Sequence, residues 1–550
     1  MATLCTVGAA GAWHVASAAE GAAQAAPPPA PVAKQTAAPT PVRNFPVLEY
    51  QVEGNTLLQT IDVERAVMSH LGESRTVDDV EAARKELEKA YHDRGYKTVV
   101  VNIPQQAIGS GVVRLRVIEA AVGKLHIEGS RYHSLAVIRD TLQELNEDSV
   151  PDFNEVQKEI NEVNHSQDLK VTPVLKASET PGKVDVDLRV KDELPVHATV
   201  EANNRYSSNT AKTRLVGELE YDNLFQRSQS LSVQYQVAPS NPSNAEVFSA
   251  SYVIPTQEHG IWALYAVHSN SNIAAVGDVN VIGKGNIFGA RLINSLPSSL
   301  PGFYHSFTAG LDYKDLKQNI ALADGAGTIA SPASYPSFTA QYSATLAGNP
   351  RDGKWIAATT GGRNATIFES SITFTIRGLG TDRTQFADKR AGASPSFFIF
   401  HPSVERQQVL PWSWSLIGKV DGQLSSGPLL NNEQYSAGGA DSVRGYTEAE
   451  RLGDNGIRGS LELRTPQLLA QRFAAIERSY FLLFTEAAHL TILDPLPEQE
   501  AEFSLASAGI GLRFKAYGLT INLDGARILK DGSVTFADRY RGLFQVNYTY

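Results

Sequence analysis

The side chains of this chain that could do chemistry are thinly spread. Its twelve histidines show no metal-ligand spacing, no phosphate-binding glycine loop of the Walker type occurs, and GLGTDR at 378–383 reads as the end of a strand rather than the approach to a helix. A Ser, His and Asp triplet drawn from this sequence would be arbitrary. The paired carboxylates Asp78 and Asp79 open a helix, where the dipole favours them. Cys5 is the single cysteine, which excludes a disulfide framework and a thiolate metal site and suits an oxidising compartment. The chain is therefore read as not an enzyme, with no catalytic, cofactor-binding or metal-binding residues and no cofactor.

One arginine stands out against this background. In GGADSVRGY, residues 438–446, Arg444 lies between Val443 and the pair Gly445 and Tyr446, and Gly438 and Gly439 give the backbone freedom to reverse. An arginine on a loop is ordinarily solvated. Its meaning here depends on the elements around it.

Charge and hydropathy narrow those elements. Lys and Arg number 49 against 59 Asp and Glu, a balance of 49 − 59 = −10, so nucleic acid is not an expected partner. No apolar run reaches the length of a membrane-spanning helix. A β-barrel is compatible with this, because its strands show lipid only alternate residues. Residues 1–19 read as a signal peptide, with Ala16-Ser17-Ala18 as a small-residue cleavage site. Residues 20–45 are an Ala/Pro-rich linker without the apolar side chains needed to fold.

Globular composition begins near Phe45. Thr76 to Asp79 resembles a capping box, and Val80, Ala83, Leu87, Ala90 and Tyr91 share one helical face. The helix stops at Gly95. Two strands follow, YKTVVVNI and VVRLRVIE, the second alternating Val113, Leu115 and Val117 with Arg114 and Arg116. A similar order recurs with KLHIEG, helices around 134–145 and 153–164, and the strands LKVTPVLKAS and KVDVDLRVKD. This predicts two small α+β modules, 46–119 and 120–193.

After Pro195 the helical pattern ends, and residues 194–550 read as strands divided by turns. LSVQYQV sets Leu231, Val233, Tyr235 and Val237 against Ser232, Gln234 and Gln236. A sandwich would alternate too, but its strands usually run five or six residues. Here segments of about ten recur about 16 times, an even number as a closed antiparallel barrel demands. The last strand, FQVNYTY, puts Phe544, Val546, Tyr548 and Tyr550 on one face, like the terminal signal by which outer-membrane barrels are recognised for insertion. The fold class expected is mainly β, a 16-stranded transmembrane antiparallel barrel behind two α+β modules.

With these pieces assembled, the chain resembles the outer-membrane transporters of two-partner (type Vb) secretion, the hemolysin secretion/activation protein family of the Omp85 superfamily in Gram-negative bacteria. The resemblance rests on GY…NIPQQ…GVVRLRVIEA at 95–120, ELPVHATVEANN, YDNLF at 221–225, VRGY at 443–446, GSLELRTP at 459–466 and the terminal strand. It implies that the modules are periplasmic POTRA domains that bind cargo, and that the barrel exports one large, unfolded, β-helical exoprotein. Outer-membrane lipids and, during biogenesis, the barrel assembly machinery are the other partners implied. It further implies that a loop around 425–456, between the eleventh and twelfth strands, folds into the lumen with VRGY at its tip. In the family that arginine pairs with the acid of an F-x-D-x-G motif on the thirteenth strand. The matching segment here is Phe484-Thr485-Glu486-Ala487-Ala488, so Glu486 is the expected partner, and Glu462, opposite in phase to Leu461 and Leu463, is a second. Cargo could be recognised by strand addition to a sheet edge or by lying in the groove beside a helix, and for the first the edge Val99, Val100, Val101, Asn102 and Ile103 is a candidate contact. The alternatives are an assembly or insertion factor of the same superfamily and a passive porin, which would lack the modules.

Overall fold

The computed structural model describes residues 44–107, 110–164, 166–208, 210–256, 260–271, 273–276, 279–282, 284–321, 328–348, 364–380, 382–470 and 472–550. The expected signal peptide and nearly all of the linker lie outside them. The chain divides into two compact units, one running to Asp93 and resuming over Val99–Ile118, the other comprising Arg94–Thr98 and Glu119–Tyr550.

In the first unit, Glu49–Glu53 pairs in parallel with Val112–Ile118, which pairs antiparallel with Val100–Asn102. The helix Val77–Asp93 covers this sheet with Val80, Ala83, Leu87 and Tyr91, all buried. Its start is a reciprocal cap: the Thr76 N–H donates to Asp79 Oδ2 at 2.8 Å and the Asp79 N–H to Thr76 Oγ1 at 3.3 Å. A shorter helix, Thr60–Val67, and a two-stranded ribbon of Phe45–Val47 with Gly72–Arg75 were not apparent in the sequence.

The second unit opens with a similar module. Lys183–Asp192 is the central strand between Ala121–Glu128 and Leu169–Ala177. Leu135–Thr141 and Phe153–Val163 pack on it through Ile138, Val156 and Ile160 against Val171, Val186 and Leu188. Asp192 ends the central strand by collecting the backbone N–H groups of Arg131, Tyr132 and His133 at 2.6, 2.6 and 2.9 Å and the His133 ring at 2.7 Å. Burial pushes this carboxyl up, but the donors of His133, Arg131 and Tyr132 outweigh it and hold it below its ordinary 3.8. A depressed folded-state pKa stabilises above the unfolded value and stops doing so as pH falls through the folded one. Asp192→Ala should cost about 3 kcal/mol at neutral pH, chiefly from the part-buried N–H groups of Tyr132 and His133 that lose their acceptor. The gap between variant and wild type should narrow only below about pH 3.8, measured as chemical denaturation of the module's signal against pH.

From Val196 onward, sixteen strands among the described residues close into a barrel in chain order, the last (Tyr540–Thr549) pairing with the first (Val196–Asn203). Alternation explains both faces. In the third strand, Gln229–Val237, Leu231 and Tyr235 are exposed, while Ser232 and Gln234 exchange hydrogen bonds with Ser251 and Ser249 of the fourth strand. In the thirteenth, Ile476–Thr491, Phe481 and Leu483 point outward and Tyr480, Leu482 and Phe484 inward. The seventh and eighth strands, Phe303–Ala321 and Thr328–Ala347, run 19 and 20 residues. That length, about 60 Å, far exceeds an apolar band of about 25 Å, so this hairpin extends beyond the membrane.

One expectation is corrected. GLGTDR does precede a helix, Arg383–Lys389, in the connection between the ninth and tenth strands. Asp382 caps it by accepting from the Thr384 N–H at 2.8 Å, and buried Phe386 fixes it among Tyr335, Phe397 and Leu429. A seven-residue helix carries too little periodicity to register in an alternating sequence, and no βαβ unit surrounds it.

Candidate functional site

The connection between the eleventh strand, Ser415–Ser425, and the twelfth, Asn455–Arg464, is itself a hairpin. Its stem is a short ladder, Tyr435–Ala437 against Arg451–Gly453, and its tip carries the VRGY residues. The chain reverses at Gly438, φ +106°, where a Cβ would stand 2.6 Å from the Thr447 carbonyl oxygen. Gly445, φ +101°, brings the backbone against the wall, with Ala526 Cβ 3.0 Å from where its own Cβ would be. Gly439 shares the left-handed conformation. Val443 and Tyr446 are fully buried, in a cluster with Ala437, Ala488, Leu490, Phe503, Leu505 and Ile528. These side chains lie on the inward face of the thirteenth to fifteenth strands. Ala488, where the family motif has glycine, is part of that apolar seat.

Arg444 is 5% exposed and fully engaged. Its backbone N–H donates to Glu486 Oε2 at 2.7 Å, and Nε and Nη2 donate to Glu486 Oε1 at 2.9 and 2.6 Å. Nη2 also reaches Glu462 Oε2 at 3.2 Å, and Nη1 reaches Asp524 Oδ1 at 3.4 Å. The guanidinium carbon lies 3.6 Å from the centre of the Phe484 ring, a cation–π contact. Both candidate partners thus meet the arginine, and Asp524 joins them. Arg464 pairs with Glu462, and Arg513 with Asp524 at 2.9 Å. Three arginines (444, 464, 513) and three carboxylates (462, 486, 524) balance in charge, as a desolvated cluster requires.

Further contacts hold the tip. Tyr446 Oη lies 2.9 and 2.5 Å from the carbonyl oxygens of Ala506 and Lys530, and accepts from the Ala506 N–H at 3.2 Å. Glu450 Oε1 accepts from the N–H groups of Val534 and Thr535 at 3.1 and 3.0 Å, and Oε2 from Thr447. At the base of the hairpin, Asp454 is wholly buried and accepts from Arg390 Nη2 at 2.6 Å and the Leu429 and Leu493 N–H groups at 2.9 and 2.7 Å. Asp524 had a sequence signal, since it falls in phase with Thr520 and Asn522 on the polar face of the fifteenth strand. The roles of Glu450 and Asp454 had none.

The terminal strand shows Phe544, Tyr548 and Tyr550 exposed, with Val546 half-buried in the same phase. It meets the first strand from Gln545↔Asn203 to Thr549↔Thr199.

The candidate cargo edge is not open. Val99 and Val101 are buried core residues, and Val100–Asn102 lies at the sheet's edge. The outward N–H of Val101 donates to Glu88 Oε2 at 3.1 Å, and its carbonyl accepts from Arg84 Nη1 at 3.2 Å. Just beyond, the Gln106 side chain caps Arg114 through two hydrogen bonds of 2.9 and 2.8 Å. Asn164 does the same for Val171 in the second module, at 3.0 and 2.6 Å, and Pro173 follows without an N–H. Side chains of helix and loop occupy these positions because an unpaired edge otherwise invites another chain.

A closed sixteen-stranded barrel preceded in the chain by small α+β modules, with a loop tied to the barrel's inner wall, is the fold of the Omp85 superfamily of outer-membrane proteins. The family models match accordingly: "POTRA domain, ShlB-type" over residues 45–120, and "Haemolysin secretion/activation protein ShlB/FhaC/HecB" over 182–292 and 365–482. The chain belongs to this haemolysin secretion/activation family of two-partner secretion transporters. Among its relatives is the outer membrane transporter CdiB of Dickeya dadantii, 23% identical over 427 residues, 76% of this chain and 72% of that protein. The heme/hemopexin transporter protein HuxB of Haemophilus influenzae is 19% identical, covering 75% and 71%. The structure of CdiB from Escherichia coli superimposes with a TM-score of 0.62 at 18% identity, covering 94% of this chain and 92% of that one. The protein is placed in the outer membrane with its POTRA region in the periplasm, and its family is one of transporters rather than enzymes.

Proposed function

We propose that the chain carries one large unfolded exoprotein from the periplasm through the barrel to the cell surface. On this reading residues 46–119 and 120–193 are the two POTRA modules that receive the cargo, and 194–550 form the pore. Because strand addition at Val101 would displace Glu88 and Arg84, reception is assigned to side-chain surfaces. Ile61 and Met68, seven residues apart along the Thr60–Val67 helix and its continuation, are 60% and 67% exposed and offer such a contact. The observation that carries the proposal is the anchorage of Arg444 to Glu486, Glu462 and Asp524, which holds VRGY against the lumen wall.

A reducible crosslink tests whether the tip works while held. Arg205, just past the first barrel strand, and Asp441 of the tip form an ion pair, and neither has a left-handed backbone conformation. Arg205→Cys with Asp441→Cys, joined by a short reducible dithiol linker in a chain otherwise thiol-free after Cys5, should still secrete. The same staple should restore secretion to Arg444→Ala. A crosslinked, folded barrel that secretes only after reduction would instead show that the tip must leave the wall.

A further inference from the structure

Away from the loop, three segments distant in sequence converge where the second module meets the barrel. Asp168 directly precedes the strand Leu169–Ala177, and its side chain is 4% exposed. His197 is the second residue of the first barrel strand and lies opposite Glu220 of the second, Arg214–Leu224. Asp222, two residues on and so on the same face, is fixed by its N–H donating to the Pro195 carbonyl at 2.9 Å. The donor atoms of Asp168, His197 and Asp222 all lie within 4.8 Å of one another.

Both carboxylates face the same ring nitrogen. Nε2 of His197 is 3.1 Å from Asp168 Oδ2 and 3.4 Å from Asp222 Oδ2. An imidazolium joining two acids does so best with one N–H to each, whereas one N–H shared by two acceptors is a weaker three-centre bond; a cation at Nε2 would draw both carboxylates to that one nitrogen. Donors separated by about 3.3 Å are what tetrahedral ligation at about 2.0–2.1 Å produces. Glu220, opposite His197 and two residues before Asp222 on the same face of the second strand, adds a third acid. Among the described residues none of these acids forms an ion pair with a lysine or arginine; the imidazole is their one basic partner. That leaves an excess of negative charge in a partly buried site.

We propose that Asp168, His197 and Asp222 bind a divalent transition-metal cation that ties the second module to the first two barrel strands. A mixed imidazole and carboxylate set favours Zn²⁺ over Ca²⁺ or Mg²⁺, which prefer all-oxygen shells of higher coordination number.

The full chain, purified in detergent and stripped with a chelator, is titrated with Zn²⁺ by calorimetry. One saturable equivalent is expected. His197→Gln and Asp168→Asn should each weaken binding by at least about tenfold, a loss that even outer-shell partners can produce. His126→Gln, changing an exposed histidine elsewhere on the second module, should leave binding unchanged. Heat-modifiable migration checks that each variant holds a folded barrel, and Asp222→Asn replaces any that does not. No saturable uptake by the wild type, equal uptake by the variants, or a preference for Ca²⁺ in a parallel titration overturns the proposal.

Discussion

Arg444→Ala should leave a folded barrel in the outer membrane and nearly abolish cargo release. The substitution removes the four side-chain polar contacts of Arg444, its backbone N–H excepted, and leaves Glu486, 5% exposed, without a cationic partner, while Glu462 keeps only Arg464. Removing one partner of a buried pair costs roughly 3–5 kcal/mol because the remaining charge has nowhere to go. In this site the tip can swing away and let water reach the acids, so the cost is expected to appear as a loosened loop rather than an unfolded barrel. Single-channel conductance should change accordingly. Arg444→Lys should be a poor substitute, since one ammonium cannot address Glu486, Glu462 and Asp524 from the separate nitrogens that the guanidinium uses. In a double-mutant cycle Arg444→Ala and Glu486→Gln should be strongly non-additive. Wild-type secretion by Arg444→Ala at equal barrel abundance would return this arginine to the role of an ordinary loop residue.

The second large effect concerns the barrel's two faces. Leu219, Val233 and Ala250 are in register across the second, third and fourth strands, and Leu219, Leu231 and Tyr235 are exposed in the same outward phase. Val233→Arg should therefore cost about 2–4 kcal/mol, the penalty for a basic side chain near the bilayer midplane. Gln234→Arg, one residue along and facing water in the lumen, should be tolerated. Unfolding in lipid vesicles, with heat-modifiable migration as the readout of folded barrel, separates them, and equal penalties on both faces would defeat the assigned register.

Much of this architecture was legible because alternation is local. A strand such as LSVQYQV declares its two faces without reference to its neighbours, and the positions of all sixteen barrel strands could be read in this way. The helix Val77–Asp93 was legible for the same reason, through its cap and the spacing of Val80, Ala83, Leu87 and Tyr91. Short elements were not: Thr60–Val67 spans eight residues and Arg383–Lys389 seven, too few turns for a period to stand out. The loop site divides similarly. The family motif led from Arg444 to Glu486, and strand phase led to Glu462, but bringing in Asp524 requires the registers Glu462↔Phe484, Phe484↔Gly509 and Gly509↔Ala526. Gly509 matters there as well, because a Cβ at that position would sit 2.4 Å from the Phe484 ring on which the guanidinium rests. Asp168, His197 and Asp222 defeat motif reading altogether, since their spacing is set by folding and not by the order of the chain.

If the modules receive the cargo as proposed, the strand positions closed by side chains bear on how long it stays there. A segment added to an open edge gains a ladder of main-chain hydrogen bonds, and such ladders release slowly because all the rungs must part together. With Val101 closed by Glu88 and Arg84, Arg114 by Gln106 and Val171 by Asn164, a passing chain meets side chains at these places, and each contact can break independently of the next. On the proposed function, contacts with cargo at these positions would therefore be brief, and any longer-lived strand pairing would fall to the opposite edges, Glu49–Glu53 and Ala121–Glu128. On the same proposal, an unfolded polypeptide could slide past these closed positions, where an open adhesive edge would hold it and invite aggregation.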